Sequence, residues 1–200
     1  YSLSQMVSLF KDPAGYFDGD GGSSGLTASR AAGPTVTLSF NGQVSLNNRE
    51  AALDAVISAA LVATGVEEEG LVVRREGGGD GVRVITDPDR LSQVFINLIS
   101  NVRKYCDAER PVLRIVTRDL GDRVAVDFID NGSGVPGDAQ ELIFEKFSRL
   151  TDQQAAGSAG LGLAICREIM LRLGGSIRYL PGQGGGAFRV SLPRAEARAA

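Results

Sequence analysis

At 200 residues, 43% hydrophobic and 22% charged, the chain is long enough for one core and holds no uninterrupted apolar run of membrane-spanning length, so this fragment is expected to make no membrane contact. Its 21 Lys+Arg against 24 Asp+Glu give a formal net charge of -3, which supplies no basic field for a phosphate backbone and argues against nucleic acid as a partner. The absence of histidine excludes Ser-His-Asp and Cys-His catalysis, histidine metal sites and a phosphohistidine on this chain, while Cys106 and Cys166 fit two buried thiols in a reducing compartment.

The chain starts at Tyr1 and is expected to be a piece of a longer protein. Residues 1–34 dissolve from a short apolar start into Gly, Ser and Asp with neither helical nor strand periodicity, and read as a linker or the remnant of a preceding domain. Asp18 and Asp20 in FDGDGG lack the full spacing and distal Glu of a calcium loop. TVTLSF, Asn41-Gly42 and QVSL predict a hairpin from Thr35. The expected organisation is therefore a linker with a hairpin strand over 1–43, a folded domain over 44–194 and a tail over 195–200.

NNREAALDAVISAALVATG predicts a helix with Ala52, Val56, Ala59, Ala60 and Ala63 on one face and Gly65 as its stop. LVVRREGGGDGVRVIT then predicts two short strands around a glycine turn. The clearest helix runs from Pro88 to Tyr105, with Asp87 as cap and Pro88 at the first helical position. Leu91, Val94, Phe95, Leu98, Ile99, Val102 and Cys106 form its buried face, and Arg90, Asn97, Asn101 and Lys104 a polar stripe beside it, with Arg90 read as a solvated residue.

VLRIVTR and VAVDFID follow as strands around Leu120-Gly121-Asp122. In the second, Val124, Val126, Phe128 and Asp130 share parity, so the Asp130 carboxylate points the way the apolar side chains do and needs a partner. A helix over Leu161–Leu173, closed by Gly174-Gly175, precedes the strands SIRYL and AFRVSL, which end at Pro193. The expected fold is α+β: a two-layer sandwich of one mixed, mostly antiparallel sheet covered on one face by about three helices.

Four segments, NLISNVRKY, DNGSGVP, GSAGLGLAI and GQGGGAF, occur in an order that resembles the ATP-binding catalytic domain of sensor histidine kinases. This domain has the Bergerat fold of the superfamily that includes type II topoisomerases, mismatch-repair ATPases and ninety-kilodalton heat-shock chaperones. The resemblance spans residues 44–193. It implies ATP and Mg²⁺ as cofactors.

An Asn amide oxygen is a hard neutral ligand suited to Mg²⁺, and Asn101 matches the family's metal-contacting Asn. Asn97, one turn earlier, either joins the metal and water shell or is a helix-surface amide. Lys104 matches the lysine that brings charge to the phosphates, and Tyr105 would pack by the sugar or base. A buried carboxylate acceptor at a strand end selects the exocyclic amine of adenine, the role of Asp130, whose alternative is an Asx-type turn with the following glycines. Gly132, Gly134 and Val135 would approach the base, while Gly160, Leu161, Gly162 and Leu163 open a helix whose free N–H groups suit phosphate.

Ser158 and Ala159 depart from the family's usual glycine and small hydroxyl residue. Phe144 and Phe147 resemble the family's phenylalanine box before a closing loop, or are two core aromatics before a surface loop. Arg149 either reaches a terminal phosphate or lies on the surface.

Superfamily members that hydrolyse ATP or phosphorylate serine carry a Glu at the position of Asn97, and an amide is not a general base. The leading expectation is phosphoryl transfer from Mg-ATP to a histidine on a separate dimerisation domain of a cytoplasm-facing, often membrane-anchored, homodimeric parent that passes phosphate to a response regulator. The alternatives are a nucleotide-sensing interaction module without phosphoryl transfer and an anti-sigma-type serine kinase.

Overall fold

The computed structural model describes residues 26–30, 36–40, 46–67, 70–78, 81–145 and 161–195, the first two stretches by their backbone pairing. The chain divides into two units, Tyr1–Leu46 and Asn47–Ala200. In the first, β1 (Leu26–Arg30) pairs antiparallel with β2 (Val36–Phe40). The strand after Thr35 is thus present, but its partner precedes it in a stretch read as lacking strand periodicity. Backbone N–H and C=O groups pair whatever the side-chain pattern, so this strand carries no periodicity signal of its own. Residues 41–45, where the expected turn and much of the returning strand fall, lie outside the described residues.

The second unit holds a five-stranded sheet in the order β4 (Val72–Glu76), β6 (Val112–Asp119), β7 (Arg123–Asp130), β9 (Ala187–Pro193), β8 (Ser176–Tyr179). All pairs are antiparallel except β4 with β6. A separate two-stranded sheet joins β3 (Arg49–Ala52) to β5 (Arg83–Thr86). The strands on either side of the glycine turn at 77–81 therefore belong to different sheets and do not form a hairpin.

Three α-helices are described: α1 (Leu53–Thr64), α2 (Pro88–Tyr105) and α3 (Gly162–Arg172). The α+β sandwich is as expected, and its core joins Leu91, Val94, Phe95, Leu98 and Ile99 of α2 to Ile115, Val126, Phe128 and Val190 of the sheet. The Phe95 and Phe128 rings meet with centroids 5.1 Å apart. Asp87 caps α2 by accepting from Asp89 N–H and Arg90 N–H, each at 3.1 Å. Its second oxygen accepts from Asn47 N–H at 3.0 Å, which ties the start of the domain to this helix.

Two expectations for the helices need correction. Helix α1 begins at Leu53, four residues after the strand start at Arg49, because Arg49–Ala52 pairs with β5 instead of coiling. Its buried face is Leu53, Val56, Ile57, Ala60 and Leu61, while Ala59 and Ala63 are exposed. Leu53, Ile57 and Leu61, at four-residue spacing, set the stripe that faces the core, which buries Ala60 and leaves Val62 83% exposed. Arg90, expected in solvent, is only 9% exposed, enclosed with buried Thr86 and Asp87 where the chain from Asn47 closes over the start of α2.

Candidate nucleotide-binding site

Strand β7 is buried along both faces from Val124 to Ile129, and Asp130 emerges half-buried at its end. Asp130 Oδ1 accepts from Gly132 N–H at 2.8 Å and from Gly186 N–H at 3.0 Å. The Asx-type turn is therefore present and occupies Oδ1, while Oδ2 takes no hydrogen bond among the described residues. Asp130 N–H also donates to the Gly186 carbonyl at 2.8 Å.

The glycines around this carboxylate are demanded by space. A Cβ on Gly132 would lie 2.9 Å from Asp107 Oδ1, and one on Gly186 would lie 2.4 Å from Asp130 Oδ2. Gly134 has φ +78°, and its Cβ would meet the Gly185 carbonyl and the Tyr179 hydroxyl, each at 3.0 Å.

Several residues that build the site carry no role in the sequence reading. The Tyr179 hydroxyl accepts from Val135 N–H at 3.0 Å and donates to the Gly185 carbonyl at 3.4 Å, joining DNGSGVP to GQGGGAF. Its ring stands edge-on to Phe188, which in turn meets buried Phe144. Asp107 accepts from Ser133 N–H at 2.7 Å, and this bond holds its carboxyl below the usual carboxylate range. Asn131 accepts from Val112 N–H at 2.8 Å and donates to the Arg110 carbonyl at 3.0 Å, pinning the turn to the start of β6. The one signal available in sequence is Tyr179 itself, a strand-end phenol whose hydroxyl needs a partner.

On α2, Asn97 Nδ2 donates to Cys166 Sγ at 3.1 Å. A Cβ on Gly162 would stand 2.6 Å from Asn97 Oδ1, so the first turn of α3 approaches α2 against this amide. Asn97 is thus a joint between two helices, a role absent from both alternatives considered for it. Burial pushes the Cys166 thiol up to about 12, with the Asn97 hydrogen bond acting in the opposite direction. Asn101 is half-buried one turn further along, and Lys104 and Tyr105 are exposed at the helix end, with Lys104 Nζ 5.2 Å from the Tyr105 ring centre.

Leu161, Gly162 and Leu163 are half-buried at the start of α3. Among the described residues that helix has no side-chain cap and no acidic residue in its first turn, where the leading N–H groups have no partner within the helix. Phe147, Arg149, Ser158, Ala159 and Gly160 lie outside the described residues.

The contacts therefore link Asp130, Gly132, Gly134 and Val135 to the 179–186 segment and to the end of α2, and link Asn97 with Gly162. Asp130 Oδ2 is one open acceptor among glycines, the kind of group to which an amine N–H can donate. Among the described residues no group of three or more His, Cys, Asp or Glu side chains is arranged to hold a metal.

Residues 86–196 match the family described as "Histidine kinase-, DNA gyrase B-, and HSP90-like ATPase". The chain is 38% identical over 116 residues to the sensor protein VanS of Enterococcus faecium, covering 57% of this chain and 30% of that protein. It is likewise 38% identical over 109 residues to the sensor protein KdpD of Escherichia coli (strain K12), covering 54% of this chain and 12% of that protein. The chain thus spans less than a third of either relative. The catalytic domain of histidine kinase ThkA superposes with a TM-score of 0.65 at 27% identity, covering 74% of this chain and 96% of that one. ThkA in complex with the response regulator protein TrrA gives a TM-score of 0.65 at 25% identity, over 78% of this chain and 45% of that one. With its matched segment running from the end of β5 to the end of β9, the chain belongs to the histidine kinase-, DNA gyrase B- and HSP90-like ATPase family and carries the fold of a histidine kinase catalytic domain.

Proposed function

We propose that this domain positions Mg-ATP for phosphoryl transfer to a histidine on a separate dimerisation domain of the same protein. The observation that carries the reading is Asp130: its Oδ1 is fixed by the N–H groups of Gly132 and Gly186, and its Oδ2 remains open to the exocyclic amine of adenine. Gly132, Gly134 and Val135 line the approach to the base. The uncapped first turn of α3, from Leu161 to Leu163, is suited to the phosphates. Lys104 brings a point charge to them, and Tyr105 flanks the sugar.

The amide of Asn101 and the phosphate oxygens form a hard donor set that fits Mg²⁺, which commonly keeps waters and shares nucleotide phosphates. Bound there, the ion would neutralise charge on the transferring group. Asn97 contributes by holding α3 against α2.

Within reach of the nucleotide this chain offers positioning and charge, and no general base at Asn97. The acceptor imidazole is itself the nucleophile: the bond from the γ-phosphorus to the bridging oxygen breaks, a phosphorus–nitrogen bond forms, and ADP leaves. A response regulator then receives the phosphoryl group, as the ThkA–TrrA complex suggests by analogy. The parent works as a homodimer and faces the cytoplasm. No helix of the described residues is long and apolar enough to cross a membrane.

The test is a calorimetric titration with ATP and Mg²⁺, followed by addition of the parent's histidine-bearing domain in trans. One-site binding followed by labelled phosphohistidine on the added domain is expected. Docking and ATP binding without label would reject phosphoryl transfer.

A further inference from the structure

The loop between β8 and β9 carries no assigned role, yet its backbone holds the carboxylate on which the nucleotide reading turns. We infer that Gly186 and Tyr179 are positioning residues that aim Asp130 and thereby set purine selectivity, an inference that rests on the nucleotide reading of this site. Gly186 grips Asp130 twice: its N–H donates to Oδ1 at 3.0 Å, and its carbonyl accepts the Asp130 N–H at 2.8 Å. Gly132 N–H loads the same Oδ1 at 2.8 Å. With both fixed donors on one oxygen, the carboxylate cannot turn without losing two hydrogen bonds, so Oδ2 is left as a single oriented acceptor.

Space around Oδ2 is set by the same residue. A Cβ at Gly186 would stand 2.4 Å from Oδ2, and its three nearest atoms are all atoms of the Asp130 carboxylate group. Gly186 is not among the left-handed glycines, so a methyl group there meets the carboxylate and leaves the backbone conformation available. Its neighbour differs: a Cβ at Gly185 would strike the Asp130 carbonyl oxygen at 2.0 Å, main chain that has nowhere to move. Tyr179 fixes the loop from its other side, because one hydroxyl bridges Val135 N–H and the Gly185 carbonyl. Loop, turn and carboxylate are thereby one hydrogen-bonded unit, and its output is the direction of Oδ2.

Adenine donates its amine to that oxygen. Inosine triphosphate presents an oxygen at the same place and is repelled by the negative charge. The ratio of ATP to inosine triphosphate affinity therefore reads the aim of Asp130, whereas a general loosening of the fold weakens both nucleotides alike.

The experiment is calorimetric titration of the full chain with each nucleotide, for wild type, Gly186→Ala, Tyr179→Phe and the control Gly137→Ala, whose Cβ would meet nothing within 4 Å. Wild type and control prefer ATP. Gly186→Ala is expected to lose ATP affinity about tenfold or more with little change toward inosine triphosphate, so that the preference collapses. Tyr179→Phe lowers the preference by a smaller factor, roughly threefold to fivefold.

A folded Gly186→Ala variant with the wild-type ratio overturns the inference. If alanine prevents folding, Tyr179→Phe decides: a reduced ratio supports the inference and an unchanged one overturns it. Wild type that binds no ATP overturns the nucleotide reading together with this one, whereas ATP binding with unmoved ratios sinks this inference alone.

Discussion

In the proposed nucleotide site, one carboxylate, Asp130, would serve both the fold and the ligand. Oδ1 satisfies two backbone N–H groups of tight turns, a structural need, while Oδ2 keeps full acceptor strength. Asp130→Asn puts an NH₂ where one of these oxygens accepts, either against the turn amides or against the incoming amine. We expect ATP affinity to fall roughly 10- to 100-fold, the scale of a lost hydrogen bond to a charged group, in a variant that still unfolds cooperatively. Unchanged affinity by calorimetry would remove Asp130 from the site. The two thiols make a second residue-level contrast. Cys166 is 2% exposed and burial pushes it up to about 12, whereas Cys106, expected to be buried, is half-exposed because it lies just past the last helical residue, Tyr105. Iodoacetamide at pH 8 should label Cys106 in the native protein and reach Cys166 only after denaturation, as peptide mass spectrometry would show.

At the level of elements, α2 organises the domain. Its cap, Asp87, binds two N–H groups of the first turn and a third from Asn47, so it fixes both a helix start and a long-range tether. Asp87→Ala is expected to cost about 1–2 kcal/mol, measured from the urea midpoint at constant slope. The contact between α2 and α3 depends on the absence of a side chain at Gly162. Gly162→Ala should destabilise by about 1–3 kcal/mol through overpacking against Asn97, and in an Asn97→Ala background that cost should shrink. Equal costs in both backgrounds, from a double-mutant cycle of unfolding energies, would separate the two residues. The helix pattern of α2 was legible because its apolar residues repeat at three and four over five turns. The pattern of α1 was legible only in part: the helix, its stop at Gly65 and the burial of Val56 and Ala60 hold, but alanines dilute its face and the four residues before it are claimed by β5 from more than thirty positions away.

At the scale of the whole sheet, the face turned away from the helices contains one buried charge among the described residues. Asp127 is 1% exposed and accepts from Arg189 Nε at 2.6 Å, Arg189 Nη2 at 2.7 Å and Arg118 Nε at 2.8 Å. Burial alone would raise its carboxyl, but the hydrogen bonds and charges of Arg189 and Arg118 outweigh it and hold the group below the usual range. A depressed native value means that the unfolded chain binds the proton more readily. The stability from Asp127 is therefore complete above its unfolded value of about 3.9 and is lost as pH falls through the lower native one. Asp127→Asn should cost about 3 kcal/mol at pH 7, because it strands a partly buried Arg189, and should flatten the acid limb of stability measured below about pH 4. An acid limb identical to wild type would contradict the assignment.

The order of the four motif segments, the parity that sends Asp130 inward and the amphipathic face of α2 are local properties of the chain, and they were enough to identify the fold class and the family. Partners were another matter. That β4 and β5 would join different sheets and that Arg90 would be enclosed depend on contacts between residues far apart in sequence. The same is true of the site: Tyr179, Asp107, Asn131 and Gly186 acquire their roles only when β7, the end of α2 and the β8–β9 loop converge on one carboxylate. Periodicity and capping are encoded within a few residues, whereas hydrogen-bond partnership and exclusion of a Cβ exist only once tertiary packing has brought the atoms together.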